Sequence, residues 1–274
     1  MADQSYTDKP RTSEFANAVV LITGAASGIG QTCARLFALN GCQKLFLVDL
    51  SRPKLETTAA LIERDGLYPQ VELYDGSVAD ESSVKDMIDH CVEVFGRIDI
   101  ACNNAGVSSM SARTHEATMA DFDFTCSVNE RGVFLCEKYE IAQMLQQTPS
   151  IANQKGSIVN TASIAGHCII PTASPYGASK HAVVALTRCD ALRHIQDGIR
   201  VNCVSPGPVW TPMLSEGGLP EEFIQLTKTM APMHRFVEAR EVADAILFLG
   251  GPRGSAISGV NLPVDCGNQL IRSI

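Results

Sequence analysis

The sequence predicts a doubly wound α/β fold: a parallel sheet of about seven strands with helices on both faces, built as one domain. Short apolar, β-branched runs alternate along the chain with segments of helical spacing. The first such run ends in a glycine-rich loop that opens a helix. No linker-like shift in composition interrupts the 274 residues, a length that a single domain with a substantial core can accommodate.

Taken in order, strands are predicted near 18–24, 44–49, 70–75, 98–103, 156–161, 200–205 and 260–264. Helices are predicted near 28–40, 53–65, 81–95, 121–146, 175–196 and 239–250. Residues 1–15 are polar and charged and read as a loose tail ahead of a catalytic domain at 16–274. Residues 148–155 read as a surface connection, and internal repeats are absent. The rhythm breaks at 208–237, where Pro208, Pro212, Gly217, Gly218, Pro220 and Pro232 are interleaved with apolar side chains. A long connection of this kind in a compact domain is usually functional or disordered, and its apolar anchors argue against disorder.

The first half carries a nucleotide-site pattern. Ala18-Val-Val-Leu-Ile-Thr23 runs into Gly24-Ala-Ala-Ser27-Gly28-Ile29-Gly30, and apolar residues then continue at helical spacing. A strand, a glycine turn and a helix in that order present backbone N–H groups and a helix N-terminus to a pyrophosphate. The spacing is Gly-x-x-x-Gly-x-Gly, and a lone glycine loop of this kind is more often just a turn. The second strand strengthens the reading, because it ends at Asp49, 19 residues beyond Gly30, where a carboxylate can hydrogen-bond an adenosine ribose. Asp49 would also repel a 2′-phosphate. Ala25, Ala26, Ser27, Leu50 and Ser51 supply no compensating base, and Arg52 is the one cation nearby. NAD is therefore the expected cofactor in preference to NADP.

The second half carries a candidate acid–base pair. Tyr176 and Lys180 are four residues apart and share one face of a predicted helix, 13 residues or more beyond Ser163. The Lys180 ammonium would favour a phenolate and lower a tyrosine pKa that starts near ~10. A tyrosine so tuned can exchange the proton of an alcohol–ketone interconversion. Ser163 could hydrogen-bond the reacting oxygen. Alone, Tyr-x-x-x-Lys more often marks two stems covering apolar surface.

With these motifs in order, the chain resembles the short-chain dehydrogenase/reductase family from about residue 16 to residue 267. Thr23 to Gly30 resembles its cofactor loop, and Asn103-Asn104-Ala105-Gly106 the motif ending its fourth strand. Asn129-Glu-Arg-Gly132-Val-Phe134 resembles the segment with its catalytic asparagine. Ser163, Tyr176 and Lys180 fall at its catalytic serine, tyrosine and lysine, and Pro206, Gly207, Val209 and Thr211 lie in its nicotinamide-contacting segment. The resemblance implies that Lys180 also holds the nicotinamide ribose and that Asn129 holds a water completing a proton relay. By itself, Asn129 reads as a polar residue inside a long helix.

Two positions depart from the family. Ser77 stands where an aspartate usually meets the adenine, leaving the Ser77 hydroxyl or the Val78 backbone for that contact. Cys266 stands in Val264-Asp-Cys-Gly267, where a glycine is usual and its missing side chain permits close approach.

Composition narrows the functional classes. A net charge of −8 and a pI near 5.3 argue against nucleic acid or an anionic membrane as partner. Ten cysteines without a Cys-x-x-Cys and six histidines without a helical pair predict no metal and reduced thiols in a cytoplasmic protein. The first 14 residues lack the apolar core of a signal peptide, and no run matches a membrane span.

The leading expectation is an NAD-dependent oxidoreductase acting on a secondary alcohol or ketone. A redox-neutral isomerase or lyase on the same fold and a non-catalytic NAD-binding protein are the alternatives. Trp210, Met213, Leu214, Phe223, Met230 and Met233 give the 208–237 segment the character of an apolar substrate lid, with His167, Cys168, Ile169 and Ile170 lining the same pocket. No lysine or arginine falls between Pro208 and Thr227, so a bulky apolar hydroxy or keto compound is the expected substrate. The long helices at 121–146 and 175–196 resemble those that pair the family into dimers or tetramers.

Overall fold

Five consecutive apolar or β-branched residues form β1 (Val19–Thr23), and every one of them is buried. Its side chains alternate between two cores: Val20 and Ile22 face one, Val19 and Leu21 the other. In β2 (Lys44–Asp49) the same period places Leu45 and Leu47 opposite Phe46 and Val48. A strand buried on both faces is the signature of a parallel sheet covered by helices. The computed structural model describes residues 13–108, 113–169, 173–215 and 221–272, apart from the side chains of Phe223, Met230 and Arg272.

The remaining strands are β3 (Gln70–Asp75), β4 (Ile100–Asn103), β5 (Gly156–Thr161), β6 (Ile199–Pro206) and β7 (Asn261–Val264). All seven are parallel, in the order β3-β2-β1-β4-β5-β6-β7. The winding reverses between β1 and β4, which opens a crevice beyond their C-terminal ends.

Helices α1 (Gly28–Leu39), α2 (Arg52–Arg64) and α9 (Ala239–Gly250) cover the face of Val20 and Ile22. The opposite face is covered by α3 (Glu81–Phe95) and α5 (Gly132–Leu145), with α6 (Ser174–His194) packed beside them. Each fully buried Leu, Ile, Val or Phe side chain in these layers contributes roughly 1.5–3 kcal/mol. The boundaries follow local chemistry. Asp80 caps α3 by accepting from the Ser83 N–H at 3.0 Å, and Gly96 ends it at φ 83°. Asp99 accepts from the Val19 N–H at 2.9 Å and pins the start of β1 beside β4.

The structure departs from the expected elements in three places. The single helix expected at 121–146 is α4 (Met119–Cys126), a π-helical turn at Ser127–Arg131, and α5. Side-chain periodicity cannot reveal one residue inserted into a helical turn, and such turns concentrate at functional sites. The 208–237 segment contains α7 (Pro212–Ser215) and α8 (Glu221–Met230). Phe15, expected at the end of the tail, is 1% exposed and meets Phe37 edge-on at 5.0 Å, because an aromatic ring gains more from the α1 face than from water. Residues 1–12 of the expected tail lie outside the described residues, as do Ile170, Gly217, Gly218, Leu219, Pro220 and the side chains of Phe223 and Met230. A short helix α10 (Asn268–Arg272) follows β7.

Candidate active site

The loop from Gly24 to Gly30 joins β1 to α1 at the crevice. Gly24 and Gly28 have φ of 67° and 54°, the left-handed region that favours glycine. A Cβ on Gly30 would lie 2.2 Å from the Gly24 carbonyl oxygen, so only glycine lets the helix start this close to the loop. Ser27 occupies the N-cap of α1 without a side-chain capping bond, and no acidic residue lies in the first turn. The helix N-terminus thus keeps its N–H groups and positive end for an anion. Ile29 packs partly into the core below. This cradle fits the pyrophosphate of a dinucleotide.

Asp49 ends β2 beside that cradle. Its carboxylate accepts from the Ala26 N–H at 3.1 Å and from the Leu50 N–H at 2.8 Å, so it faces the glycine loop. Arg52 turns away: its Nη1 donates to the Leu73 carbonyl at 2.8 Å and lies 3.6 Å from Asp75. Leu50 is exposed. Further along the rim the Ser77 hydroxyl accepts from the Ala79 N–H at 3.2 Å, leaving its own proton free to donate. Val78 is buried against Gly132, whose added Cβ would come within 2.9 Å of it.

The end of β4 forms the floor. Thr23 Oγ1 accepts from the N–H groups of Asn104 at 3.0 Å and Ala105 at 3.1 Å. The Asn104 amide donates to the Thr23 carbonyl at 3.2 Å and accepts from Thr161 Oγ1 at 3.3 Å, tying β1, β4 and β5 together. The sequence names Thr23 as part of the loop but announces neither its bonds to β4 nor the role of Thr161, because a threonine ending a strand is common and these partners lie tens of residues away.

Gly106 brings the catalytic candidates into contact. A Cβ there would lie 3.2 Å from Asn129 Oδ1 and 3.5 Å from Lys180 Nζ. Asn129 sits in the π-helical turn; its Nδ2 donates to the Val107 carbonyl at 2.9 Å and to Ser179 Oγ at 3.2 Å. Lys180 Nζ donates to the Thr161 carbonyl at 2.8 Å and lies 5.8 Å from the centre of the Tyr176 ring. Ser163 accepts from the Ala165 N–H at 3.1 Å, starting a tight turn, and hydrogen-bonds the Tyr176 hydroxyl. Ser179 and Val107 are partners that no local motif announces.

The protonation balance differs from expectation. Burial raises the Tyr176 pKa above its ordinary value, and the bond to Ser163 pulls it back only in part. The net shift is upward, opposite to the direction expected from the Tyr-x-x-x-Lys spacing. Burial pushes the lysine itself down to about 8, with the Thr161 carbonyl as its hydrogen-bond partner. An ammonium in a dry site beside a part-buried phenol is costly, and the dominant force on both groups is the loss of water.

The far wall begins at Pro206, which ends β6, followed by Gly207, where a Cβ would lie 2.9 Å from the Asp265 Cα. Thr211 touches the glycine loop, its Cγ2 3.2 Å from where a Cβ of Gly28 would sit. The two ends of the 208–237 segment are stitched by a parallel bridge between Val209 and Val237, with the Val237 N–H donating to the Pro208 carbonyl at 2.9 Å. Trp210 packs on Phe236 with centroids 5.1 Å apart. Met213, Leu226, Met233 and Ile169 are exposed around the mouth. His167 bonds Asn261 at 3.2 Å and Gln269 at 2.9 Å, while Cys168 is buried. Cys266 adopts φ 54°, an unusual conformation for a residue with a side chain. Arg235 pairs with Glu241 at 2.7 Å.

The model of the family described as Enoyl-(Acyl carrier protein) reductase matches residues 24–269, a span that holds Asn129, Ser163, Tyr176 and Lys180. The chain belongs to the short-chain dehydrogenase/reductase family. Levodione reductase of Leifsonia aquatica is 37% identical over 270 residues, spanning 94% of this chain and 96% of its own. Meso-2,3-butanediol dehydrogenase of Serratia marcescens is 36% identical over 253 residues, spanning 92% of this chain and 95% of its own. A crystal structure of levodione reductase matches with a TM-score of 0.88 at 35% identity, covering 93% of this chain and 99% of that one. A 3-ketoacyl-(acyl-carrier-protein) reductase from Brucella melitensis, solved with NADH, matches with a TM-score of 0.83 at 28% identity, covering 92% of this chain and 98% of its own. This short-chain dehydrogenase/reductase is an oxidoreductase of the alcohol–ketone type, in a family that uses nicotinamide cofactors. No described helix is long and apolar enough to cross a membrane. Among the described residues no group of three or more His, Cys, Asp or Glu is placed to hold a metal ion.

Proposed function

We propose that the protein is an NAD-dependent dehydrogenase/reductase that interconverts a secondary alcohol and a ketone on a bulky, largely apolar small molecule, with Tyr176 as general acid/base. The observation that carries this reading is the convergence of Ser163, Tyr176, Lys180 and Asn129 beside an uncapped helix N-terminus that faces Asp49. Gly24, Ser27, Gly28, Ile29 and Gly30 would cradle the pyrophosphate, and Asp49 and Leu50 would take the adenosine ribose. Ser77 and Val78 would border the adenine. Asn104, Ala105 and Gly106 would line the floor, and Pro206, Gly207, Val209 and Thr211 the nicotinamide side.

When bound, the cofactor supplies or accepts the hydride. The protein does the rest. In the reducing direction the Tyr176 hydroxyl gives its proton to the forming alkoxide, while the Ser163 hydroxyl donates a hydrogen bond to the same oxygen. The Lys180 ammonium stabilises the phenolate left behind. Both amide hydrogens of Asn129 are already used, so a relay water can reach this residue only through an oxygen. The exposed apolar side chains at the mouth suit an apolar substrate, since no cation of α7 or the start of α8 stands ready for a carboxylate or phosphate.

Following reduced-cofactor absorbance with a panel of ketones and alcohols tests the reaction. Turnover of NADH with large cyclic ketones is the expected result. Substrate turnover without net cofactor change would make the protein an isomerase or lyase instead. Tyr176→Phe should bind NADH normally and lose on the order of 10²–10⁴ in rate. Trp210→Ala should raise KM for a large apolar ketone far more than for a small one.

A homodimer or tetramer completes the proposal. Exposed Phe122, Phe124 and Phe134 line a groove with Ala182, Leu186 and Cys189 between α4, α5 and α6, and a second copy of this face would cover it. Light scattering should give at least twice the 29.4 kDa chain mass. All ten cysteines are free thiols, most of them buried, which suits the reducing cytoplasm.

A further inference from the structure

Behind the candidate active site, on the side away from the crevice, two buried glutamates of α5 meet the ends of β4 and β5. Because strand side chains alternate, Asn104 faces the crevice and Asn103 faces α5. Asn103 Nδ2 donates to Glu140 Oε2 at 3.0 Å and to Asn160 Oδ1 at 3.1 Å. Asn160 Nδ2 donates to Glu137 Oε1 at 2.7 Å and to Thr187 Oγ1 of α6 at 2.9 Å. Thr187 spends its own proton on the Val183 carbonyl at 2.8 Å. Glu137 also meets the carboxyl group of half-buried Asp190, one turn along α6.

Counting donors against acceptors shows a deficit. Every amide and hydroxyl hydrogen of Asn103, Asn160 and Thr187 is used. Three fully buried oxygens still lack a donor: Asn103 Oδ1, Glu137 Oε2 and Glu140 Oε1. No lysine or arginine among the described residues pairs with either glutamate. The other titratable groups facing them are the thiols of Cys136 on α5, Cys91 on α3, Cys102 on β4 and Cys203 on β6, with His194 beyond Asp190 on α6. Burial raises all four thiols, so they bring no charge near neutrality. Protons on the carboxyl groups themselves close the count with no cation and no trapped water.

We propose that Glu137, Glu140 and Asp190 form a proton-holding latch that positions α5 and α6, the helix that follows Asn129 and the helix that carries Tyr176 and Lys180, against the ends of β4 and β5. Glu140 is a neutral acid in the closed latch, and Glu137 shares one proton with Asp190. Losing those protons places two or three carboxylates together in a dry interface, where like charges and missing donors both act to part the helices.

Burial supports the same direction. Glu140 is raised from 4.5 to about 7, and Glu137 is raised well above its ordinary range. An acid raised on folding binds its proton more tightly in the native chain than in the unfolded one. Stability from this source is therefore complete below about pH 4.5 and is lost as the pH rises through 7 for Glu140, and higher for Glu137.

Glutamine supplies the missing N–H donors without a titratable proton, so Glu137→Gln/Glu140→Gln mimics the closed latch. The test compares this double variant and Asp190→Asn with wild type at pH 6 and pH 9. Wild type should show the infrared carbonyl band of a protonated carboxylic acid at pH 6, absent from the double variant and diminished in wild type at pH 9. Amide hydrogen exchange in α5 and α6 at pH 9 should be roughly tenfold better protected in the double variant than in wild type. Absence of the acid band at pH 6, or equal protection of α5 and α6 at pH 9, overturns the proposal; the first result would mean bound water or a cation fills the deficit. If the double variant does not fold, Asp190→Asn and the wild-type spectra decide alone. None of these readouts needs a substrate, so they stand apart from the reading of the reaction.

Discussion

Asn129 pairs with both main-chain groups of Val107: the Val107 N–H donates to Oδ1 at 2.8 Å, and Nδ2 donates to the Val107 carbonyl at 2.9 Å. One side-chain amide thus acts as a short strand partner for the loop leaving β4. The contact spans 22 residues and holds the π-helical turn against the Asn104–Gly106 floor.

Replacing Asn129 by alanine strands both groups of Val107. Stability should fall by about 2–3 kcal/mol in urea titration, since part-buried polar groups lose their partners. Activity should fall further than stability alone explains, because Gly106 then loses one wall of its contact with Lys180. Unchanged unfolding midpoints would show that water replaces the amide without cost.

Cofactor preference should follow Asp49. With Arg52 held by Leu73 and Asp75, no base at the end of β2 answers a 2′-phosphate, and kcat/KM should favour NADH over NADPH. Asp49→Ser with Leu50→Arg should shift that ratio toward NADPH by roughly tenfold or more, by removing a repulsion and adding an attraction. A wild-type preference for NADPH would remove Asp49 from the ribose site.

Lys180 should trade stability for activity. Its pKa is lowered from 10.5 to about 8, so the charged form costs the fold below pH 8, and the cost disappears as pH rises toward 10.5. Lys180→Met should therefore be more stable than wild type at pH 7, by on the order of 2–3 kcal/mol, while losing turnover. The stability gain should shrink between pH 8 and 10.5, which calorimetry across that window would show.

Gly132 should be intolerant of a methyl group. A Cβ there would sit 2.9 Å from Val78 Cγ2 and 3.3 Å from the Val78 carbonyl oxygen. Gly132→Ala should cost about 1–3 kcal/mol and weaken cofactor binding through Val78. Adding Val78→Ala should recover part of both losses, and additivity of the two changes in a double-mutant cycle would sink the argument.

Most of the fold was legible because its signals are local. The β-branched runs of β1, β2, β5 and β6, the glycine turn before α1 and the four-residue spacing of Tyr176 and Lys180 lie within single elements. Periodicity then assigned the elements, since a strand buried on both faces and a helix buried on one leave different patterns. The break at Ser127–Arg131 was not legible, because an inserted residue leaves the flanking apolar spacing intact.

The sequence by itself determined the order of the strands and of the long helices around them, the glycine turn before α1 and which side chains are chemically able to move a proton. Tertiary structure alone decided what surrounds them: Thr23 beneath Asn104, the Thr161 carbonyl on Lys180, Val107 on Asn129, and Glu137 and Glu140 beneath Asn160 and Asn103. It also reversed the expected direction for Tyr176, whose pKa burial raises. Local propensity depends on a few neighbouring residues, whereas desolvation and hydrogen-bond satisfaction depend on groups that folding brings together from 19 to 81 positions away.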